Sequence, residues 1–491
     1  VATSGAELMQ AGGGFGGGFG SSFSVLLEQA CAQARRLDDE GVLSLAVPLA
    51  GGDPFSLLPH LDGEPSGDRG GFRFLWDGAP GLCIAASGRT NSLELSGPRR
   101  FELAQRFATA ALARLTGDGA DAAHPCPRHA RPRLLLAFSF FDAPLETEDR
   151  SVPGVQAVLP RWQLSRHGRQ CWLRLQRPLG GGTSARSLAE ELWEKARDLE
   201  RIAAADSAAA GIGLPASASL AAVIRRSRWQ ERYRQAAAEA LALVEDGRLE
   251  KLVLAVRQRL RLDRAPDPLA LLAPLRRHQS GSCRFLWQRG HDSALLGASP
   301  ERLLTVRQGQ LRSDALAGTA PCQQGDELLG SAKDRLEHEL VVDTIMAVLG
   351  RAGLQPRRRR HPRLARHGQL VHLHTPISAA LGDRHPLAIA AALHPTPAVA
   401  GLPRREAMGW LRSLEPFERG HYAAPIGWID SAGDADLRVA IRSGILRGRE
   451  LELTAGAGLV PGSAVERELQ EVALKLGVLQ QQLNLPVPGR W

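Results

Sequence analysis

Basic residues in this chain are almost all arginine: of 61 Lys and Arg, only Lys195, Lys251, Lys333 and Lys475 are lysine. A bias that strong makes each surviving lysine a candidate for work arginine cannot do, since a compact amine can lose its proton and a guanidinium does not. Two of the four lie beside carboxylates at helical spacing. In Glu466-Arg-Glu-Leu-Gln-Glu-Val-Ala-Leu-Lys475, Glu468 and Glu471 are three residues apart and Lys475 follows four later, so one helix face carries two carboxylates and an ammonium. In Ser331-Ala-Lys-Asp-Arg-Leu-Glu-His338, Asp334, Glu337 and His338 make a second polar patch within one turn. Spacing alone leaves two readings open: a polar site, or solvated helices whose Glu–Lys pair is worth a few tenths of a kcal/mol. Tyrosine is rarer still, with only Tyr233 and Tyr422.

The elements that must position these groups read as follows. Trp229 to Glu245 has a helical period, closed by Gly247 and Arg248 before the apolar strand Lys251-Leu-Val-Leu-Ala-Val256, which Lys251 opens. Strands at Cys283 to Trp287 and Ser293 to Gly297 run into Ser299-Pro-Glu301, so Glu301 follows a proline that ends a strand. A turn at Leu316-Ala-Gly-Thr319 precedes a helix from Gly330 to Leu349, and His372 stands at a strand end in Val371-His-Leu-His-Thr375. Ala455-Gly-Ala-Gly458 reads as a glycine-rich turn feeding the closing helix. Upstream, from 23 to about 185, strand-like runs alternate with turn clusters around a helix near Phe101 to Leu115. A charged amphipathic helix, Ser187 to Ala204, leads into an Ala/Gly/Pro stretch near 215 that marks the internal boundary. Residues 1–22 are Gly-rich and expected to be a disordered tail.

With 491 residues and 44% hydrophobic content, the chain can bury one large core or two to three ordinary ones. The six cysteines are scattered, without a C-x-x-C pair or histidines at zinc spacing, which argues against a disulfide framework or structural zinc. No apolar run of about 18 residues and no secretory pattern occurs, so neither a membrane partner nor export is expected, and a cytoplasmic monomer is. The net charge of +9 and the run Arg357-Arg-Arg-Arg-His-Pro-Arg363 raise nucleic acid as a partner. Without interleaved aromatics the run reads better as a solvated loop, and no nucleic acid is expected.

Taken together, these stretches resemble the chorismate-utilising enzymes, most closely their isochorismate-forming members. The resemblance rests on Lys251-Leu-Val-Leu-Ala, Gly297-Ala-Ser-Pro-Glu-Arg-Leu, Leu316-Ala-Gly-Thr, Ser331-Ala-Lys-Asp-Arg-Leu-Glu-His, His372-Leu-His-Thr, His394-Pro-Thr-Pro-Ala-Val, Arg419-Gly-His-Tyr, Val439-Ala-Ile-Arg and the closing Ala-Gly-Ala-Gly with its helix. These run in the family's order from about 225 to 480; the N-terminal half matches loosely. The resemblance implies an α/β (α+β) fold, one large domain of two entwined subdomains with antiparallel sheets flanked by helices, 23–215 supplying a sheet-rich portion and 216–485 the catalytic portion. It implies a Mg²⁺ ion held by Glu337 and Glu471, with Asp334 and Glu468 in the same patches, and oxygen-only ligands suit that hard cation. Lys251 matches the base that activates water for attack at ring C2, and Glu301 the acid that protonates the departing C4 hydroxyl. For these roles the lysine must lose roughly three units of pKa and the glutamate must keep its proton; burial pushes both that way. Arg442 and Tyr422 match clamps on the enolpyruvyl carboxylate, Gly456 a close backbone approach, and Lys475, Thr319 and His372 further substrate contacts.

Two positions discriminate within the family. Anthranilate-forming relatives have Gln where Lys251 stands, and aminodeoxychorismate synthases carry a nucleophilic Lys where Ala317 stands. Both point to water addition and isochorismate. Salicylate synthase, which adds pyruvate elimination, is the alternative within the family, and a basic non-catalytic binding protein is the alternative outside it. Val256 departs from the family pattern where Arg is common, with Arg257 one place later and hence on the other face of a strand.

Overall fold

The structure, a computed structural model, describes residues 23–38, 41–61, 71–78, 81–116, 126–143, 152–180, 182–209, 222–224, 229–290, 293–483 and 485. The tail expected at 1–22 and most of the boundary stretch, 210–221, lie outside them. Two large sheets, of thirteen and ten strands, carry the fold, and helices cover them. Pairing is antiparallel apart from Val42–Leu49, which pairs parallel with the short strand Leu115–Thr116. Among the described residues no helix is long and apolar enough to cross a membrane.

Both sheets draw on both halves of the chain. In the thirteen-stranded sheet Arg73–Gly78 pairs with Cys283–Arg289, and in the ten-stranded sheet Arg133–Phe138 pairs with Pro425–Asp430. The portions 23–215 and 216–485 are thus laced together by backbone hydrogen bonds rather than set side by side. Alternation explains how the sheets meet, because successive side chains of a strand point to opposite faces. Phe74 and Trp76, with Phe285 and Trp287, come from the thirteen-stranded sheet and Phe72 from just before it; Leu135, Ala137, Ile426 and Trp428 come from the other sheet, and all join one buried cluster. Phe72 and Phe74 meet Trp287 edge to face, at 5.0 and 5.9 Å between ring centroids.

Three of the expected local shapes differ. The glycine-rich run 455–458 is strand rather than turn, the end of Glu450–Leu459, which pairs along Lys251–Leu262. Leu316 to Thr319 lies within the strand Gln310–Pro321 as an irregularity between Ala317 and Ala320, where Gly318 takes φ +69°. The basic run is only partly loop: Arg357–Arg358 pairs with the edge of Leu370–Ala380, and Arg358 reaches Glu339 at 2.6 Å. Gly247 closes its helix as expected, with φ +71° and the N–H of Arg248 donating to Leu243 O at 3.0 Å.

One buried ion pair ties the Lys251 strand to its surroundings. Arg419 is 1% exposed; its Nε donates to Glu415 Oε2 at 2.7 Å, and its Nη atoms donate to Val399 O and Val253 O, each at 2.7 Å. Glu415 Oε1 in turn accepts the N–H of Ala255 at 2.8 Å. Removing one partner leaves the other as an unpaired buried charge. Glu415→Ala is therefore expected to cost about 3–5 kcal/mol of unfolding free energy, read by urea denaturation; a loss within error of zero would mean the pair does not hold these segments.

Candidate active site

Two of the places where the chain passes between the sheets carry a candidate residue. Ser293–Ser299 belongs to the thirteen-stranded sheet and Arg302–Arg307 to the ten-stranded one, so Pro300 and Glu301 form the link. Ala435–Val439 and Ser443–Arg447 make the return crossing through Ala440, Ile441 and Arg442. The crossings hold one another: Val439 N–H donates to Glu301 O at 3.1 Å, Ala298 N–H to Arg442 O at 3.0 Å, and Ser299 Oγ to Val439 O at 2.6 Å. Arg442 sits at φ +52°, a left-handed conformation that costs a residue with a Cβ about 1–2 kcal/mol. Glu301 is 3% exposed, and burial raises its carboxyl to about 7, against the opposing pull of Lys251 and of a hydrogen bond that Thr396 Oγ1 donates to its Oε1 at 3.4 Å.

The two acidic helices rest on different sheets. Ala332–Arg351 packs on Gln310–Pro321 and Leu370–Ala380; Val465–Gln482 packs on Glu450–Leu459. Ser331 caps the first, its Oγ accepting the N–H of Asp334 at 3.2 Å. Asp334, Glu337 and Glu468 are 4%, 7% and 1% exposed, so these carboxylates face inward rather than to solvent. Lysines meet them from both sides. Lys251 Nζ, fully buried, lies 2.9 Å from Glu337 Oε1; Lys333 Nζ lies 2.7 Å from Glu468 Oε1 and 3.7 Å from Glu337 Oε2; Lys475 Nζ lies 2.7 Å from Glu471 Oε1 and donates to Gly456 O at 2.7 Å. Burial would raise the Glu337 carboxyl, but Lys251 and Lys333 overcome it and hold the group below its usual range. Glu468 goes the other way: burial, only partly offset by Lys333, lifts it. The Lys251–Glu337 and Lys333–Glu468 contacts are charge contacts, with neither Lys251 Nζ nor the Glu468 oxygens in an aligned hydrogen bond.

Tyr422, Arg442, Gly456 and Lys475 line one cavity together with Val253 and Val399. Burial raises the Tyr422 hydroxyl to about 12 against the pull of Arg419 and Arg442, hence a neutral donor. Thr319 and His372 lie together: His372 Nδ1 is 3.0 Å from Gly318 O and 3.2 Å from Thr319 Oγ1. A carbonyl only accepts, so Nδ1 carries the proton. Burial, with Arg442 adding to it, keeps the ring neutral, and Nε2 is a buried acceptor with no partner among the described residues. A wider cleft, lined by Glu250, Arg351 and Arg404 among others, holds none of the candidate residues.

Not every patch residue turns to the site. His338 is fully buried with Nε2 2.8 Å from Thr375 Oγ1, and burial with the nearby Lys251 lowers it to about 4, so it braces its helix on Leu370–Ala380 as a neutral ring. Arg257 does lie off the site, at 3.7 Å from Glu452 and over the Phe417 ring. Gly456 is glycine for a strand reason, since a Cβ there would lie 2.6 Å from Leu254 O. The glycine the site needs is Gly458, where a Cβ would press on Glu337 Oε1 and stand 3.0 Å from Lys251 Cε. Lys333, Thr396, Gly458 and Tyr233 join the candidates. Tyr233 is 2% exposed with a hydroxyl unpartnered among the described residues, and burial, then the charges of Glu468, Glu471 and Glu337, raise it well above its usual range.

The donor set fits a hard divalent cation in kind: every candidate ligand is a carboxylate, and the buried Glu468 oxygens lack an aligned donor. Among the described residues no three His, Cys, Asp or Glu side chains form a cage on their own, because lysines stand between them. Magnesium is held elsewhere by one or two carboxylates, its remaining positions filled by water and substrate oxygens, so a complete protein cage is not required.

Comparison with known proteins identifies the family. The profile of the family described as chorismate binding enzyme matches residues 28–484. The chain is 38% identical over 268 residues to the salicylate biosynthesis isochorismate synthase of Pseudomonas aeruginosa, covering 53% of this chain and 55% of that protein. It is 36% identical over 265 residues to isochorismate synthase EntC of Escherichia coli, covering 52% of this chain and 68% of that one. The match thus spans about half the length of the Pseudomonas relative. Among solved structures, MenF, the menaquinone-specific isochorismate synthase from Escherichia coli, aligns with a TM-score of 0.70 at 26% identity over 93% of this chain and 99% of that chain.

The raised Glu301 carboxyl has a direct spectroscopic consequence. In the wild-type minus Glu301→Gln difference infrared spectrum, a protonated carboxylic acid band is expected at pH 6 and to fade around pH 7; no such difference band at pH 6 would show that Glu301 is ionised like an ordinary surface glutamate.

Proposed function

Because the chain belongs to the chorismate binding enzyme family, we propose that it converts chorismate to isochorismate, reversibly, by adding water at ring C2 and expelling the C4 hydroxyl. The observation that carries this reading is the opposed pair of a fully buried lysine and a buried glutamate raised to about 7, joined in one electrostatic neighbourhood. A reaction that takes a proton from water and gives one to a leaving hydroxyl needs one group of each kind. Lys251, once parted from Glu337, takes the proton of the attacking water as its oxygen bonds to C2. The ring double bonds shift, and Glu301 gives its proton to the C4 hydroxyl, which leaves as water. The product is an isomer of the substrate, so no oxidant or reductant is consumed.

The remaining residues bind and orient. Arg442 offers a guanidinium fork to the enolpyruvyl carboxylate, with the neutral Tyr422 hydroxyl donating beside it. His372 Nε2, fixed as an acceptor, takes a hydrogen bond from a substrate hydroxyl; the Gly318 carbonyl holds the ring in that tautomer, with Thr319 beside it. Glu337 and Glu471, with Asp334 and Glu468 beside them, would hold the Mg²⁺ ion, whose contribution when bound is to neutralise and orient the ring carboxylate of the substrate. Ala317 leaves the position beside Gly318 without the amine that would let the protein itself attack C2.

Incubation with chorismate and Mg²⁺, with and without ammonium, followed by chromatography, tests the reading. Isochorismate as the product in both conditions is expected; salicylate with pyruvate would move the assignment to a salicylate synthase, and no turnover would remove the enzymatic reading. Lys251→Gln is expected to lower kcat about a hundredfold or more while substrate binding survives. Glu301 must be protonated to act, so kcat/KM should fall as pH rises through about 7; a rate flat across that range would take Glu301 out of the acid role.

A further inference from the structure

Lys333 stands where no ordinary surface lysine would. Its side chain is 15% exposed, and its single ammonium lies 2.7 Å from Glu468 Oε1, 3.7 Å from Glu337 Oε2 and 3.9 Å from Asp334 Oδ1. Glu468 belongs to the closing helix and the other two to Ala332–Arg351, so this one charge joins elements that rest on different sheets. Arg467, exposed, adds a distant contact to Asp334 at 3.8 Å, and Lys251 and Lys475 serve Glu337 and Glu471 from the sides. Without Lys333, Glu468 would be a carboxylate 1% exposed, with no hydrogen-bond donor and with Glu337 and Glu471 as like-charged neighbours. A compact ammonium on a flexible stem can stand among several carboxylates at once.

We propose that Lys333 is the resident counter-ion of the acidic cleft and competes with the divalent cation for it, bridging the two helices when the cation is out and releasing Glu468 when the cation is in. The proposal rests on the reading that this cleft takes Mg²⁺. Two positive charges sharing three carboxylates repel, so each lowers the affinity of the cleft for the other, and by reciprocity removing one tightens the other. Lys333 then has two effects of opposite sign. It stabilises the cation-free protein, and it weakens cation binding.

The test uses full-length wild type and Lys333→Met, a substitution that keeps the length of the side chain and removes the charge. Magnesium is titrated by calorimetry without substrate, and melting temperature is followed across a magnesium series. The variant is expected to melt lower than wild type without magnesium, to recover as magnesium is added, and to bind magnesium about tenfold more tightly or better. If Lys333→Met does not fold without the cation, refolding across the same series gives the readout, since its stability must then climb more steeply with magnesium than that of wild type. Magnesium binding to wild type that Lys333→Met does not tighten overturns the proposal alone. Failure of both proteins to bind magnesium, with or without chorismate, overturns it together with the cation reading.

Discussion

Buried carboxylates need positive charge close by, and in this protein that requirement shapes the centre of the molecule. Glu337 and Glu468 approach from helices packed on separate sheets, and each is met by a lysine whose own origin lies elsewhere: Lys251 at the start of a strand of the thirteen-stranded sheet, Lys333 on the helix opposite Glu468. The ion pairs therefore run across the fold rather than along one element. An ion pair out of water gains little net stability, because desolvating both charges offsets their attraction. What the crossing pairs do is hold acids and amines a few ångströms apart, largely out of solvent.

The rest of the architecture keeps that centre in register. The aromatic layer between the sheets sets their separation, and the two crossings at Glu301 and at Arg442 are pinned to each other by backbone hydrogen bonds. Arg419 fixes the Lys251 strand and the segment of Val399 in one grip, three residues from the Tyr422 that lines the cavity. Gly458 completes the arrangement by absence: with no side chain there, Glu337 and Lys251 have room to meet.

Much of the site was legible in the sequence because its chemistry is scarce there. A chain that uses arginine by habit marks Lys251 and Lys475, and carboxylates spaced by three mark Glu337 and Glu471. Most strands and helices were also legible from period alone; the helix Trp229–Glu245 has the limits its pattern gives. What was hidden depends on long-range pairing. Arg73–Gly78 and Cys283–Arg289 are neighbours across some two hundred residues, and no local pattern records that. The run 455–458 read as a turn because glycine favours turns, yet here the neighbouring strand leaves no space for a Cβ at Gly456. Lys333 went unassigned for a similar reason: four residues before Glu337 it looks like an ordinary surface pair, and only the arrival of Glu468 from another helix gives it a further partner.

The central claim is that this lysine-locked, acidic cleft adds water to C2 of chorismate, and the fate of the water oxygen tests it most directly. Chorismate incubated with the protein and Mg²⁺ in heavy-oxygen water should give isochorismate bearing one heavy oxygen, at the C2 hydroxyl. Isochorismate formed without heavy oxygen would mean that the hydroxyl had migrated within the substrate, and would contradict the account of Lys251 and Glu301 given above.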